Sequence, residues 1–329
     1  MRDDDAIGER LTAYLRGRVD DPELRLLAPP RLLTGGYVNR VYAVSVESAR
    51  PGSPIDGELV LRVAQPSTAI AMLEREHGVH EAVFGAGYPT PEPLLLETDP
   101  TTFGAPFQLM RRAAGSPLVD QLVTTPWVAP ARMGAMADLL ARLHALPAAD
   151  LPIEGPTTEE RAMARFVEHG IPGPDVCRWI ETHHRPTATT VVHLDFHALN
   201  VLFAGARPSA VLDWQNAGVG DPAHDLADAR LVFLVGPTDL PAVLRPAEQV
   251  LRRGLAARLV GRYRHHRRVD DAQLRVGTVL AASRRLLGAI LDRPAPGAEA
   301  TGLTSPELIA ALATTIERLT GVTPRYPSA

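Results

Sequence analysis

Residues 117–329 carry one helical signature after another, and a single β-rich stretch, 191–214, interrupts them. The first 110 residues read the other way, as strands plus one helix. Segregation of this kind predicts an α+β fold of two lobes rather than a doubly wound sheet, whose strands and helices alternate. In the first part, 38–46 and 59–63 are β-rich, and Gly35-Gly36 marks a tight turn before the former. Ser67 is placed to cap a helix ending near Gly85 and Gly87, and short strands are expected at 94–96 and 107–110. In the second part, helices are expected at 127–146, 158–168, 174–184, 241–267, 270–292 and 305–319, with another opening at Asp221-Pro222. The division expected is a nucleotide-binding lobe at 1–110, a hinge at 111–116 and a helical catalytic and substrate-binding lobe at 117–329.

The interrupting stretch carries the chemistry. It reads V-V-H-L-D-F-H-A-L-N-V-L-F, followed by A-V-L-D-W. Residues 201–203 and 210–212 form two apolar strands joined by a turn containing Gly205 and Pro208, and pairing 201 with 212 sets Asn200 opposite Asp213. Two oxygen-bearing side chains then share the open end of one hairpin, a donor set that suits Mg²⁺, which takes one or two protein oxygens and completes its shell with phosphates and water. Asp195, five residues before Asn200, lies on the loop entering the hairpin and is positioned to accept a hydroxyl proton.

A second pair of candidates comes from periodicity. On the 67–84 helix, Met72, Leu73, Val79 and Val83 share one face, and Glu76 lies on it. A carboxylate facing inward must find a cation or be neutralised. Alternation along 59–63 turns Arg62 away from Leu59, Leu61 and Val63, which makes it the natural partner.

The spacing H-x-D-x-x-x-x-N, followed by an apolar strand ending in Asp, resembles the catalytic loop and metal aspartate of kinase-like folds. The D-W ending and the continuation G-D-P-A-H-D-L-A at 220–227 are similar to the aminoglycoside and macrolide phosphotransferase family. Further stretches extend the resemblance in order: L-T-G-G-Y-V-N-R-V-Y-A-V (33–44), L-V-L-R-V (59–63), R-E-H (75–77) and G-A-P-F-Q-L-M-R (104–111). The resemblance implies a two-lobed protein-kinase-like fold and an O-phosphotransferase that moves the γ-phosphate of ATP or GTP to a hydroxyl of a small molecule, an antibiotic or a metabolite. It implies Asp195 as catalytic base, Asn200 and Asp213 as Mg²⁺ ligands, and His193 and Asp225 as braces of the catalytic loop. On the nucleotide side it implies Gly35 and Gly36 over the phosphates, Arg62 and Glu76 as the pair that holds them, and Met110 and Arg111 at the base. The sequence departs from the family pattern at Leu194, Ala198 and Leu199, where Gly and Pro-Gly are usual, and at Arg62, where the kinase plan has lysine.

Composition limits the alternatives. Thirty-four basic against 38 acidic side chains give a net charge of −4, which excludes a general nucleic-acid footprint. The chain contains no lysine, so all its basic residues are arginine and catalysis by an ammonium group is closed to it. One cysteine, Cys177, excludes an internal disulfide and fits a reducing compartment. An acidic start and the lack of long apolar runs point to a cytoplasmic protein without a membrane partner, a monomer or homodimer. From 245 to 293, twelve arginines face four acids, a net of +8 that reads mainly as a solvated helix face. If that face meets the acceptor, it favours a neutral or anionic compound over a polycation. The three tryptophans read as packing. Two other readings stay open: a kinase-fold pseudoenzyme, motivated by the missing lysine, and a metal-dependent oxygenase or hydrolase in which His193, Asp195 and His197 alternate along an extended strand.

Overall fold

The computed structural model describes residues 3–33, 39–186, 188–236, 245–293 and 302–327. The chain forms two compact units, one of 1–114 with 209–215 and the other of 115–208 with 216–329. The hairpin's second arm and the residues just beyond it, which carry Asp213, thus belong to the first unit.

In the first unit, helix α1 (Asp3–Val19) precedes strands β1 (Arg25–Leu26), β2 (Arg31–Leu32), β3 (Arg40–Glu47) and β4 (Gly57–Val63). Helix α2 (Ile70–Gly85) and strands β5 (Pro93–Glu97) and β6 (Phe107–Arg111) follow. The sheet runs β1-β3-β4-β6-β5 with β2 beside β3, and its pairs are antiparallel. Strand β4 alternates as expected: Leu59, Leu61 and Val63 enter the core, where Val44, Phe107 and Leu109 meet them. Helix α1 adds Ile7, Leu11 and Leu15 to that core, so this region holds two helices where one was expected. Tyr14 and Val19 pack on the same core, so its inward stripe follows helical spacing among acids and arginines. Ser67 caps nothing: α2 begins at Ile70 behind Ala69, without a side-chain cap, while the Thr68 amide closes a turn onto Gln65. Met72, expected inward, is exposed, whereas Leu73, Val79 and Val83 are buried.

The second unit opens with β7 (Ser116–Pro117) and helices α3 (Leu118–Thr124), α4 (Ala129–Leu143), α5 (Thr158–His169) and α6 (Pro174–His183). Strands β8 (Thr190–Val192), β9 (Val201–Ala204), β10 (Arg207–Val211) and β11 (Gly218–Gly220) come next, with β10 crossing into the first unit at Ser209. Pro208 lies inside β10 rather than in the turn, which is made by Gly205 at φ 61°. Helices α7 (Pro222–Val235), α8 (Arg245–Arg264), α9 (Asp271–Leu291) and α10 (Pro306–Thr320) complete the unit. Their starts follow sequence rules: Asp221, Asp270 and Ser305 each accept a first-turn amide. Buried Leu280, Leu286, Leu312 and Ile316 tie α9 to α10. Trp214 is buried, but Trp127 is 76% exposed, so packing does not account for it. Among the described residues, no helix is long and apolar enough to cross a membrane.

Candidate active site

The loop 193–200 leaves β8 and is pinned from below by one carboxylate. Asp225, buried on α7, accepts the His193 amide on Oδ2 at 2.6 Å and the Leu194 amide on Oδ1 at 2.8 Å. His144, at the C-terminal cap of α4, meets Asp225 Oδ2 at 3.1 Å and the Tyr263 hydroxyl at 2.6 Å. Burial alone would raise the Asp225 pKa, but His144 and His193 hold it below the ordinary value. Leu194, the bulky residue at a glycine position, takes the left-handed conformation at φ 57° and is buried. Side chains enter this region at a cost of roughly 1–2 kcal/mol, which the two amide bonds below it help to offset.

Asp195 follows. Its own amide donates to His193 Nδ1 at 3.2 Å. Asn200 Nδ2 donates to Asp195 Oδ2 at 3.0 Å and to the Asp195 carbonyl at 3.0 Å, which leaves the amide oxygen of Asn200 as a donor for a cation. His197 Nε2 stands 3.3 Å from Asp195 Oδ1, and Arg285 Nη2 donates to the same oxygen at 2.9 Å. Burial would push this carboxyl up; His197, Arg285 and Arg284 hold it well below the usual carboxylate range. Of the site residues expected in this unit, His193, Asp195, Asn200 and Asp225 converge on one loop. The segment is a loop and not an extended strand, so the alternation that set His193, Asp195 and His197 on one side loses its premise.

Three contributors escaped the sequence reading: Asp228, Arg284 and Arg285. Asp228, one turn beyond Asp225 on α7, is fully buried and receives both arginines from α9. Arg284 also donates to the Leu194 carbonyl. Seven of the twelve arginines in the 245–293 run are exposed, as a solvated face requires, while Arg284 and Arg285 turn inward onto this loop. The signal available was the i, i+3 pair of acids in H-D-L-A-D, which shares one helix face.

In the first unit, Arg62 forks onto Glu76, with Nη1 on Oε1 and Nη2 on Oε2, the latter at 3.2 Å. The Asn39 amide, turned with its oxygen toward Arg62, accepts from Nε and Nη2 at 2.9 Å. Burial works against the guanidinium charge, but Glu76 and then Asp213 outweigh it and raise the Arg62 pKa. Asp213 therefore lies within electrostatic reach of Arg62. It stands at φ 64° in a segment anchored on both sides. The Val211 amide donates to the Pro89 carbonyl at 2.9 Å, Trp214 Nε1 donates to Thr90 Oγ1 at 2.9 Å, and Arg75 donates to the Gln215 carbonyl at 3.0 Å. These bonds explain why 209–215 packs with the first unit. Met110 pairs with Val60 in the sheet, and the Arg111 guanidinium caps the carbonyls of Pro54 and Asp56 at 2.5 Å. The amides of Arg111 and Arg112 are taken by Glu92 and Glu58 carbonyls. Gly35 and Gly36 lie outside the described residues.

A sheet-rich unit followed by a helical unit places the chain among α+β proteins of the protein-kinase-like fold. The family model described as Phosphotransferase enzyme family matches residues 30–260, and the chain belongs to that family. Viomycin phosphotransferase of Streptomyces vinaceus is 33% identical over 159 residues, 43% of this chain and 55% of that protein. Acyl-CoA dehydrogenase family member 11 of Gallus gallus is 31% identical over 187 residues, and the match spans 51% of this chain but only 24% of the relative. Among solved structures, a putative aminoglycoside phosphotransferase from Ralstonia eutropha superposes with a TM-score of 0.64 at 19% identity, over 97% of this chain and 99% of that one. Macrolide 2′-phosphotransferase type I gives 0.56 at 20%, over 94% and 96%. A thermostable mutant of aminoglycoside phosphotransferase APH(4)-Ia, solved with ADP and hygromycin B, gives 0.62 at 17%, over 94% and 98%. The fold is the one these proteins share.

Proposed function

We propose that this protein is a small-molecule kinase that transfers the γ-phosphate of ATP or GTP to a hydroxyl group. The observation that carries the reading is the Asp195–Asn200 pair on a loop pinned by Asp225, in a chain of the phosphotransferase family. Asp195 accepts the proton of the acceptor hydroxyl and orients it. Phosphoryl transfer asks the protein mainly for placement and charge stabilisation, so a rigidly held carboxylate suits the task. His193 and Asp225 keep the loop in shape.

The nucleotide belongs to the first unit, with Gly35 and Gly36 over its phosphates and Met110 and Arg111 near its base. Arg62, paired with Glu76, replaces the lysine of the kinase plan; a guanidinium fork suits phosphate as well as carboxylate. The Asn200 amide oxygen and the Asp213 carboxylate are hard oxygen donors of the kind Mg²⁺ takes. When bound, Mg²⁺ neutralises charge on the phosphates.

The acceptor reading follows from the family: an antibiotic, as the name of the viomycin relative suggests, or a hydroxyl-bearing metabolite. The test is mass spectrometry of products formed from ATP or GTP across a panel of viomycin, aminoglycosides, macrolides, nucleosides, choline-like alcohols, sugars and hydroxy acids. A product heavier by one phosphoryl group is expected. Nucleotide binding without turnover across the panel would favour the pseudoenzyme reading instead.

A further inference from the structure

We propose that Arg285 is a positioning residue of the reaction, which acts through Asp195 by fixing which carboxylate oxygen faces the acceptor. The proposal rests on the kinase reading above. Arg285 lies on α9, beyond the 30–260 stretch that the family model matches, so the family pattern does not supply it.

The geometry is that of a clamp with a buried anchor. Arg285 grips Asp228 with two donors, Nε to Oδ1 at 2.9 Å and Nη2 to Oδ2 at 2.7 Å. The same Nη2 reaches Asp195 Oδ1 at 2.9 Å. A two-pronged Arg–carboxylate contact fixes direction as well as distance. Asp228 is fully buried and also holds Arg284 at 2.7 Å, which in turn grips the Leu194 carbonyl. Helix α9 thus holds the loop at two consecutive residues, once by backbone and once by the carboxylate.

An aspartate needs such a hold, because its terminal torsion is broad and roughly two-fold and the carboxylate swings freely unless it is tied. Here Oδ1 is taken by Arg285 and faced by His197, while among the described residues Oδ2 receives a side-chain donor from Asn200 alone. Oδ2 is the oxygen left to meet the acceptor. The cluster contains two arginines and two aspartates, so it presents no surplus positive charge. That balance argues for a geometric role and against recognition of an anionic group on the acceptor.

The experiment compares Arg285→Gln and Arg285→Lys with the wild-type chain. Three readouts are used: binding of a fluorescent ATP analogue, phosphate release from Mg·ATP with water as acceptor, and hydrogen exchange across residues 190–204 by mass spectrometry. Arg285→Gln is expected to lose ~100-fold in kcat, the scale of a misplaced reacting group, with KM for ATP held within about twofold. Exchange across 190–204 is expected to quicken, and Arg285→Lys, which keeps the charge but offers a single donor nitrogen in place of the fork, should recover part of both losses. An Arg285→Gln chain with wild-type turnover, or with wild-type exchange in that segment, overturns the proposal; should this variant not fold, the same two readings on Arg285→Lys decide it. A wild-type chain that binds no nucleotide sinks the kinase reading itself, while the exchange comparison still reads the clamp.

Discussion

The Leu194 amide donates to Asp225 Oδ1 at 2.8 Å while Leu194 itself stands at φ 57°. A residue with a branched side chain occupies backbone space that glycine fills at no steric cost, and a buried carboxylate one helix away holds it there. The loop that presents Asp195 is therefore set by a bond between residues 31 apart in sequence.

Asp225→Ala should unfold the protein more readily than most single substitutions. It leaves the His193 and Leu194 amides without their acceptor in a buried setting, at about 1–3 kcal/mol each. Urea denaturation should show a loss of roughly 2–6 kcal/mol, and a midpoint close to wild type would refute this account of the loop.

A separate acid sensitivity is expected at Glu159, buried on α5 with its Oε1 2.8 Å from His224 Nδ1. Burial would raise its pKa, but the His224 hydrogen bond and charge lower it from 4.5 to about 2. A depressed carboxylate pKa gives stability that is present above 4.5 and is lost as pH falls toward about 2. The contribution is on the order of 3 kcal/mol. Denaturation at pH 6 and pH 3 should show a little over half of that loss, about 2 kcal/mol, in the wild type and a flatter profile in Glu159→Gln.

Glu76→Gln should deprive the largely buried Arg62 guanidinium of the carboxylate it forks onto, with Asp213 left as the weaker countercharge. Breaking one side of a buried pair costs about 3–5 kcal/mol, and nucleotide affinity should fall along with stability. Arg62→Lys tests the fork: calorimetry should find weaker nucleotide binding, because an ammonium cannot hold Glu76 at two points. Wild-type affinity in both variants would separate this pair from the nucleotide.

Asp195→Asn and Asp213→Ala should fail differently. The first should abolish turnover and largely spare nucleotide binding. The second should lose the part of nucleotide affinity that depends on Mg²⁺, seen by calorimetry with and without the ion. A Asp195→Asn enzyme at near-wild-type rate removes Asp195 from the mechanism.

Much of this was legible from local pattern. The Arg62–Glu76 pair follows from period 2 on a strand and 3.6 on a helix, and the starts of α7, α9 and α10 follow from capping chemistry. Other features depend on partners distant in sequence. Arg284 and Arg285 look like any charged pair on a helix until Asp228, more than fifty residues away, draws them inward. Ser67 looked like a cap, yet a turn at 65–68 delays the helix beyond its reach. Helix α1, whose Ile7, Leu11, Tyr14, Leu15 and Val19 keep helical spacing, was missed because its inward face gains meaning only against the sheet it covers.

The guanidinium at position 62 also bears on chemical probing. Reagents built on acyl phosphates mark kinases by acylating a nearby amine, and a guanidinium that stays protonated is no nucleophile for them. In a chain without a single lysine, no other side chain can stand in for it. Labelling surveys of that design would pass this protein by even with its nucleotide pocket filled.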